Sequence, residues 1–283
     1  MNTFAKVLKF AALLWVMIVC PPLLRAQLTS LSDSLRTDSV TFYVEAQARA
    51  IREKRYEEAK EYLLKGIPML REKRSRAMLL TNLGTVYRHL NQPDEALLSY
   101  SAALALDDLL ADTRESRAML YASVGKAQQA ILDYSHLCHL YPENEVYHYR
   151  RAMLYIGERQ YLKAETDFMH ILERNSQSLK ATEGLALVYT LSGQYDNAER
   201  LYDGLIEKLP DKPLGYEGRA RMFLLSGKAG FALRDIDKAF ERSPEPTAAL
   251  YQLRAAINRA IGDGKAAKED EAIADRMRGT SPL

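Results

Sequence analysis

The sequence predicts an all-α protein made of tandem helix-turn-helix repeats. Three observations carry this: alanines recur at a fixed spacing, small and aromatic residues keep the same register, and Gly and Pro punctuate each unit at matching places. The alanines are Ala59, Ala96, Ala130, Ala164, Ala198, Ala232 and Ala267; the spacing is 34 at every step from Ala96 to Ala232, 37 before it and 35 after it. Twelve positions earlier stand the small residues Gly84, Ala118, Ala152, Ala186, Ala220 and Ala255. Three positions after those come Tyr87, Tyr121, Tyr155, Tyr189 and Phe223, and four positions after the alanines come Leu63, Tyr100, Tyr134, Phe168, Tyr202 and Ile236. Small side chains let two helices approach closely, and the aromatic ones fill the space between one helix pair and the next. A single pair cannot cover both of its faces, so stability must come from stacking neighbours.

Along the chain, residues 1–26 come first. Lys6 and Lys9 precede an apolar run from Phe10 to Cys20, then Pro21-Pro22 and a small residue, Ala26, before Gln27. A basic start, a short apolar stretch and a small residue are the features of a secretory signal peptide cleaved after Ala26. The stretch is shorter than the ~20 residues that span a bilayer. An uncleaved anchor is one alternative; lipid on Cys20 is another, although Val19 is bulky for such a site. Membrane contact is expected only through one of these two. A polar linker, 27–39, leads into repeats at 40–73, 77–110, 111–144, 145–178, 179–212, 213–246 and 248–281. Each reads as two amphipathic helices of about three turns, split by a turn at Gly125, Gly193, Gly227 or Gly262 and closed at Pro142, Pro210 or Pro244 where those residues occur.

The 283 residues carry a net charge of +2. Removing the leader's three basic residues leaves 36 cationic against 37 anionic side chains, a balance of −1. Such a body lacks the concentrated positive field of a nucleic-acid binder. Without the leader only Cys138 remains, so packing rather than an internal disulfide must stabilise the chain.

The quoted columns resemble the tetratricopeptide repeat family, over roughly residues 40–281 and seven repeats. The end repeats depart from the pattern: Gln47 and Ala50 stand in the small and aromatic columns of the first, Asn258 and Glu271 in aromatic or apolar columns of the last. Terminal repeats meet water on one side, which relaxes their apolar demand. The resemblance implies a right-handed α-solenoid whose first helices line a concave face, where a partner protein or peptide lies. Site residues expected on that face are Asn82, Arg88 and His89 of the second repeat and Glu115 and Met119 of the third. The fourth contributes Tyr149, Arg150 and Met153, beside Val146; the fifth Glu183 and Leu187, beside Lys180; and the sixth Glu217, Arg221 and Leu224. Tyrosine and flexible methionine suit protein recognition. A family subset grips a terminal carboxylate with two lysines, two asparagines and an arginine. Only Asn82 matches here, with Val44, Ala48, Asp112 and Ser116 in the other places.

Four repeats couple an arginine in the first helix to an aspartate in the second: Arg117 with Asp133, Arg151 with Asp167, Arg219 with Asp235, and Arg254 with Asp270. The other three hold neither, having Ala46 and Tyr62, Leu83 and Ser99, and Leu185 and Leu201. This joint presence predicts structural ion pairs. No catalytic motif emerges. Gly262-Asp263-Gly264-Lys265 lacks the spacing and the Ser or Thr of a phosphate loop, and it falls at a helix-helix turn. His136, Cys138, His139 and His148 lie near one repeat junction without recognised metal-ligand spacing. The sequence therefore predicts no cofactor, no metal and no enzyme. It predicts an interaction scaffold or adaptor, exported to a bacterial periplasm or envelope. A receptor or chaperone-like binder of transient clients is the alternative, with an unrecognised enzyme or metal-binding protein behind it.

Overall fold

The computed structural model describes residues 38–279; the leader with Cys20, residues 27–37 and residues 280–283 lie outside them. Fourteen α-helices and no strand occur among the described residues. They fall into two compact units divided after Gly125.

The first unit holds α1 (38–52), α2 (Tyr56–Gly66), a short 3₁₀ turn (Ile67–Met69), α3 (Lys73–His89), α4 (Pro93–Leu106) and α5 (Ala111–Ser123). Helix α1 thus already includes positions 38 and 39, at the end of the expected linker. From α2 to α5 each helix packs on its successor. Ala50, Ala59, Leu63, Leu79, Leu83 and Val86 form one core cluster; Ala96, Leu97, Tyr100 and Leu120 form another. Gln47, in the first repeat's small column, is buried and donates its amide to the Val44 carbonyl at 2.9 Å, so the departure from pattern is satisfied locally.

The second unit holds α6 (Ala127–Leu140), α7 (Glu145–Gly157), α8 (Tyr161–Arg174), α9 (Leu179–Leu191), α10 (Tyr195–Lys208), α11 (Pro213–Leu225), α12 (Ala229–Glu241), α13 (Ala248–Ala260) and α14 (Gly264–Gly279). Sequential helices pack together, and first helices also touch the first helix of the next repeat, α7 on α9, α9 on α11 and α11 on α13. That second set of contacts makes one continuous first-helix face. Caps follow the local sequence: the Asn144 side chain accepts from the Val146 N–H at 3.0 Å, and Thr247 accepts from the Leu250 N–H at 3.2 Å.

The aromatic column is the core. Tyr100, Tyr134, Phe168 and Tyr202 have their side chains fully buried, each worth about 1.5–3 kcal/mol of apolar burial. Two of these rings press on glycines of the following helix. A Cβ on Gly184 would stand 2.3 Å from the Phe168 ring, and one on Gly218 would stand 2.2 Å from Tyr202. Both glycines exist for close approach rather than for backbone freedom.

Backbone freedom matters instead at the helix-helix turns. Gly125, Gly193, Gly227 and Gly262 all have φ between 75° and 90°. The same column holds Lys54, Asn91 and Arg159, with φ of 58°, 57° and 56°. The turn demands this conformation because the next N–H bonds back to a carbonyl five residues earlier. Gln160 does so to Tyr155 at 2.8 Å, and Gln194 to Tyr189 at 2.8 Å.

Three of the four arginine-aspartate couples lie wholly within the second unit, and all three are in contact. Arg151 donates to Asp167 at 2.9 and 2.6 Å, Arg219 to Asp235 at 2.7 and 2.9 Å, and Arg254 to Asp270 at 2.9 and 2.6 Å. Each is a two-toothed bond, which the planar guanidinium favours. Additional partners complete them. His148 Nδ1 lies 3.2 Å from Asp167, Arg219 also pairs with Asp203 on α10, and Asn258 donates to Asp270 at 3.2 Å. Asn258, standing where other repeats carry an aromatic residue, has thus joined the ion pair. The fourth couple is divided between the units. Arg117 donates to Ser101 at 3.0 Å within the first, and Asp133 is buried within the second.

Candidate partner-binding face

On the first-helix face of the second unit, Tyr149 and Arg150 of α7 line a cleft of about 410 Å³ with Glu145, Val146, Ile171, Ser178 and Lys180. Ile171, fully buried on α8, gives the cleft an apolar floor, while Val146 is half exposed at its edge. The Tyr149 ring meets Phe168 edge-on at 5.8 Å, which fixes it against the core. Met153, one turn further along α7, is exposed.

Beside the cleft, Tyr149, Glu183, Glu217 and Arg221 form one electrostatic neighbourhood across α7, α9 and α11. Arg221 donates to Glu217 at 2.9 Å, one helical turn apart. Burial raises the Glu183 carboxyl above its usual value; Glu217 adds to that and Arg221 opposes it. The Tyr149 phenol is raised for the same first reason, burial, with the Glu183 charge second. Leu187 and Leu224 lie half-buried on this face.

In the first unit the expected residues scatter. Arg88 and Met119 share a cleft of about 380 Å³ with Asn91, Pro93 and Leu120. His89 instead stacks on Tyr56 of α2, ring centroids 4.4 Å apart, and its pKa is lowered by burial and then by Arg88 and Lys54. Asn82 donates to Gln47 at 3.4 Å, and Glu115 is half-buried. The face is therefore assembled best in the fourth to sixth repeats. Sequence reading missed Ile171, which comes from a second helix; its apolar position one turn after Phe168 was the available signal. It also missed Asp203 and His148 as companions of the ion pairs.

The histidine-cysteine grouping does not converge. Among the described residues no group of three or more His, Cys, Asp or Glu side chains is placed to hold a metal. Cys138 is buried, which pushes its thiol up to about 11 and leaves it unreactive. His148 is engaged with Asp167 and stacks on His170 at 4.2 Å, while His139 is exposed.

The tetratricopeptide repeat family model matches residues 79–113 and 181–214. The chain is 35% identical to a solved tetratricopeptide repeat protein from Parabacteroides merdae ATCC 43184, covering 85% of this chain and 93% of that one with a TM-score of 0.72. It shares its fold with PilW, described as a widely conserved type IV pilus biogenesis factor, at 20% identity, 72% and 94% coverage and a TM-score of 0.57. YrrB, described as a repeat protein with an unusual peptide-binding site, is similar at 20% identity, 66% and 95% coverage and a TM-score of 0.52. No curated protein matches the chain.

Proposed function

This chain belongs to the tetratricopeptide repeat family, and on that premise we propose that it is an interaction scaffold or adaptor of a bacterial cell envelope. Proteins of this family generally act as non-catalytic scaffolds that bind proteins or peptides. The partner segment lies along the first-helix face of the fourth to sixth repeats. The observation carrying this reading is the cleft of about 410 Å³ that Tyr149 and Arg150 line with Val146, Ile171 and Lys180. An apolar floor rimmed by charged and amphipathic side chains suits a peptide: the floor supplies affinity and the rim supplies register. YrrB lends support by analogy of fold, since its description names a peptide-binding site.

The envelope assignment rests on the leader, with Lys6 and Lys9 ahead of the apolar run to Cys20. Among the described residues no helix is long and apolar enough to cross a membrane. Mass spectrometry of the mature amino terminus tests this: Gln27 as first residue supports export with cleavage, and an intact Met1–Ala26 segment contradicts it.

Cross-linked isolation from the envelope fraction, using wild type and Val146→Asp with Arg150→Glu, tests the face. A stoichiometric partner retained by wild type and lost in the double variant is expected. A spread of weakly held clients favours the receptor reading instead. Unchanged capture by the variant removes this face from the proposal.

A further inference from the structure

We propose that the outer face of α4 docks a helix of a partner protein, one that carries an apolar stripe with lysine or arginine at its ends. The repeat register supplies the comparison. Two, six and nine positions after the repeat alanine, the sixth repeat holds Arg234, Lys238 and Glu241, all exposed, and the fifth holds Arg200, Gly204 and Glu207. Each repeat except the second carries polar residues in at least two of these columns, even the third, which has Leu132 but also His136 and His139. The second repeat places Leu98, Ala102 and Ala105 there instead. All three are exposed, Leu98 at 71%, and Leu109 in the turn that follows is exposed at 63%. No charged side chain stands between Glu95 and Asp107.

Packing within this chain does not ask for apolar groups at these positions, because the same columns elsewhere are solvated and polar. Nor can α4 roll to hide them: Ala96, Tyr100 and Ala103 on its inner side are fully buried. A second helix laid along α4 accounts for the pattern. Leu98, Ala102 and Ala105 follow one another at spacings of four and three, so they form one line on the helix. The leucine supplies apolar contact, and the two alanines let another backbone come close. Apolar residues exposed in a continuous line, rather than singly, mark a contact surface.

Charge selects the occupant. Helix α4 contains no Lys or Arg, and acids stand at both ends of the stripe, Glu95 before it and Asp107 and Asp108 after it. Two arginines come up to it from α5, but Arg114 is buried on the Asp108 main-chain carbonyl at 2.8 Å and Arg117 is half-buried on Ser101 at 3.0 Å. A second copy laid face to face would set acid against acid in either orientation, and an anionic membrane surface would meet the same repulsion. A helix ended by lysine or arginine is complementary at both ends. This surface is separate from the first-helix face of the later repeats, so its assignment stands or falls independently of the reading above.

Fluorescence anisotropy on the full mature chain tests this with two labelled helical peptides that share a leucine-alanine stripe, one ended by lysines and the other by glutamates. The lysine-ended peptide should bind about tenfold more tightly. Grafting the sixth-repeat residues into the same columns, as Leu98→Arg with Ala102→Lys and Ala105→Glu, should abolish its binding and leave the thermal midpoint unchanged. The sixth repeat already carries that set at the same places on its second helix, so the variant should fold. If it unfolds, Glu95→Gln with Asp108→Asn keeps the stripe and should remove the lysine preference. Equal affinity for the two peptides, binding of neither, or binding that survives the graft overturns the assignment. Wild-type dimers in sedimentation that the graft dissolves would give the face to a second copy, and flotation with phosphatidylglycerol vesicles that the graft abolishes would give it to a membrane; either result overturns the basic partner.

Discussion

Repeats four and five are neighbours in the same compact unit, and they close the same inter-helix gap with opposite chemistry. In repeat four the gap holds Arg151 and Asp167, joined by two hydrogen bonds and attended by His148. In repeat five it holds Leu185, buried, with Leu201 packed against the same cluster. The two solutions serve one backbone spacing but differ in how they fail. An apolar rung loses in proportion to the atoms removed. An ionic rung fails all at once, because removing one member leaves the other charge sheltered and unpaired. Asp167 shows the balance directly: burial opposes its ionisation, but hydrogen bonds from Arg151 and His148 outweigh that and hold its pKa below the usual value.

The hardest test of this contrast is Asp167→Ala, which should cost about 3–5 kcal/mol in urea denaturation. Arg151→Ala should cost a comparable amount, and the double variant clearly less than the sum of the two; strict additivity would end the idea of a bridge. The apolar comparator, Leu201→Ala, is partly buried and should fall at or below the ~2–5 kcal/mol range of Leu→Ala changes. Grafting the repeat-five solution into repeat six, as Arg219→Leu with Asp235→Leu, sharpens the comparison. The double variant should stay within ~1–2 kcal/mol of wild type although either single change is severe. The freed Asp203 is half exposed and remains hydrated, so it adds little penalty.

Next in size is Gly184→Ala, at the face where repeat four meets repeat five. The added methyl would meet the fully buried Phe168 ring, and overpacking of this kind costs about 1–3 kcal/mol. Thermal unfolding reads it out, and no change in midpoint would contradict the close approach.

Acid should separate the two rungs as well. With its folded pKa below the unfolded one, Asp167 contributes stability that is present above the ordinary aspartate range and lost as pH falls through the depressed value. The Leu185–Leu201 rung has no such dependence. Denaturation followed from pH 5 downward should therefore be shallower in Asp167→Asn than in wild type, and identical slopes would contradict this.

The smallest effects lie at the helix-helix turns. Repeat four uses Arg159 at φ 56° where repeat five uses Gly193 at φ 79°. Arg159→Gly should stabilise by up to about 1 kcal/mol through relief of left-handed backbone strain, and Gly193→Ala should cost about the same. Opposite signs in calorimetry are the expected result; equal signs would mean that the turn does not control the balance.

Much of this was legible in the residues. Helix pairing followed from alanine, small and aromatic columns because a packed repeat imposes the same volume at the same place each time. Three of the four arginine-aspartate couples followed from their joint presence or absence. The αL column was half legible, since glycine announces it in four repeats while Lys54, Asn91 and Arg159 occupy it silently. Placement of the site residues was less so. His89 has the spacing of a face residue but turns to Tyr56, because an aromatic ring from the preceding repeat lies within stacking distance.

The sequence by itself determined the period, the helix pairs and the chemistry available at each rung. Those are constraints written into nearest neighbours along one chain, where a 3.6-residue turn and a repeated volume leave few alternatives. Only the tertiary structure decided which carboxylates the arginines reached, with Arg219 taking Asp203 as well as Asp235. It also decided that His148 reaches the carboxylate of Asp167 and Asn258 that of Asp270. Such choices depend on where side chains from adjoining repeats end, and that distance is set by helices packing across the stack rather than by spacing within any one of them.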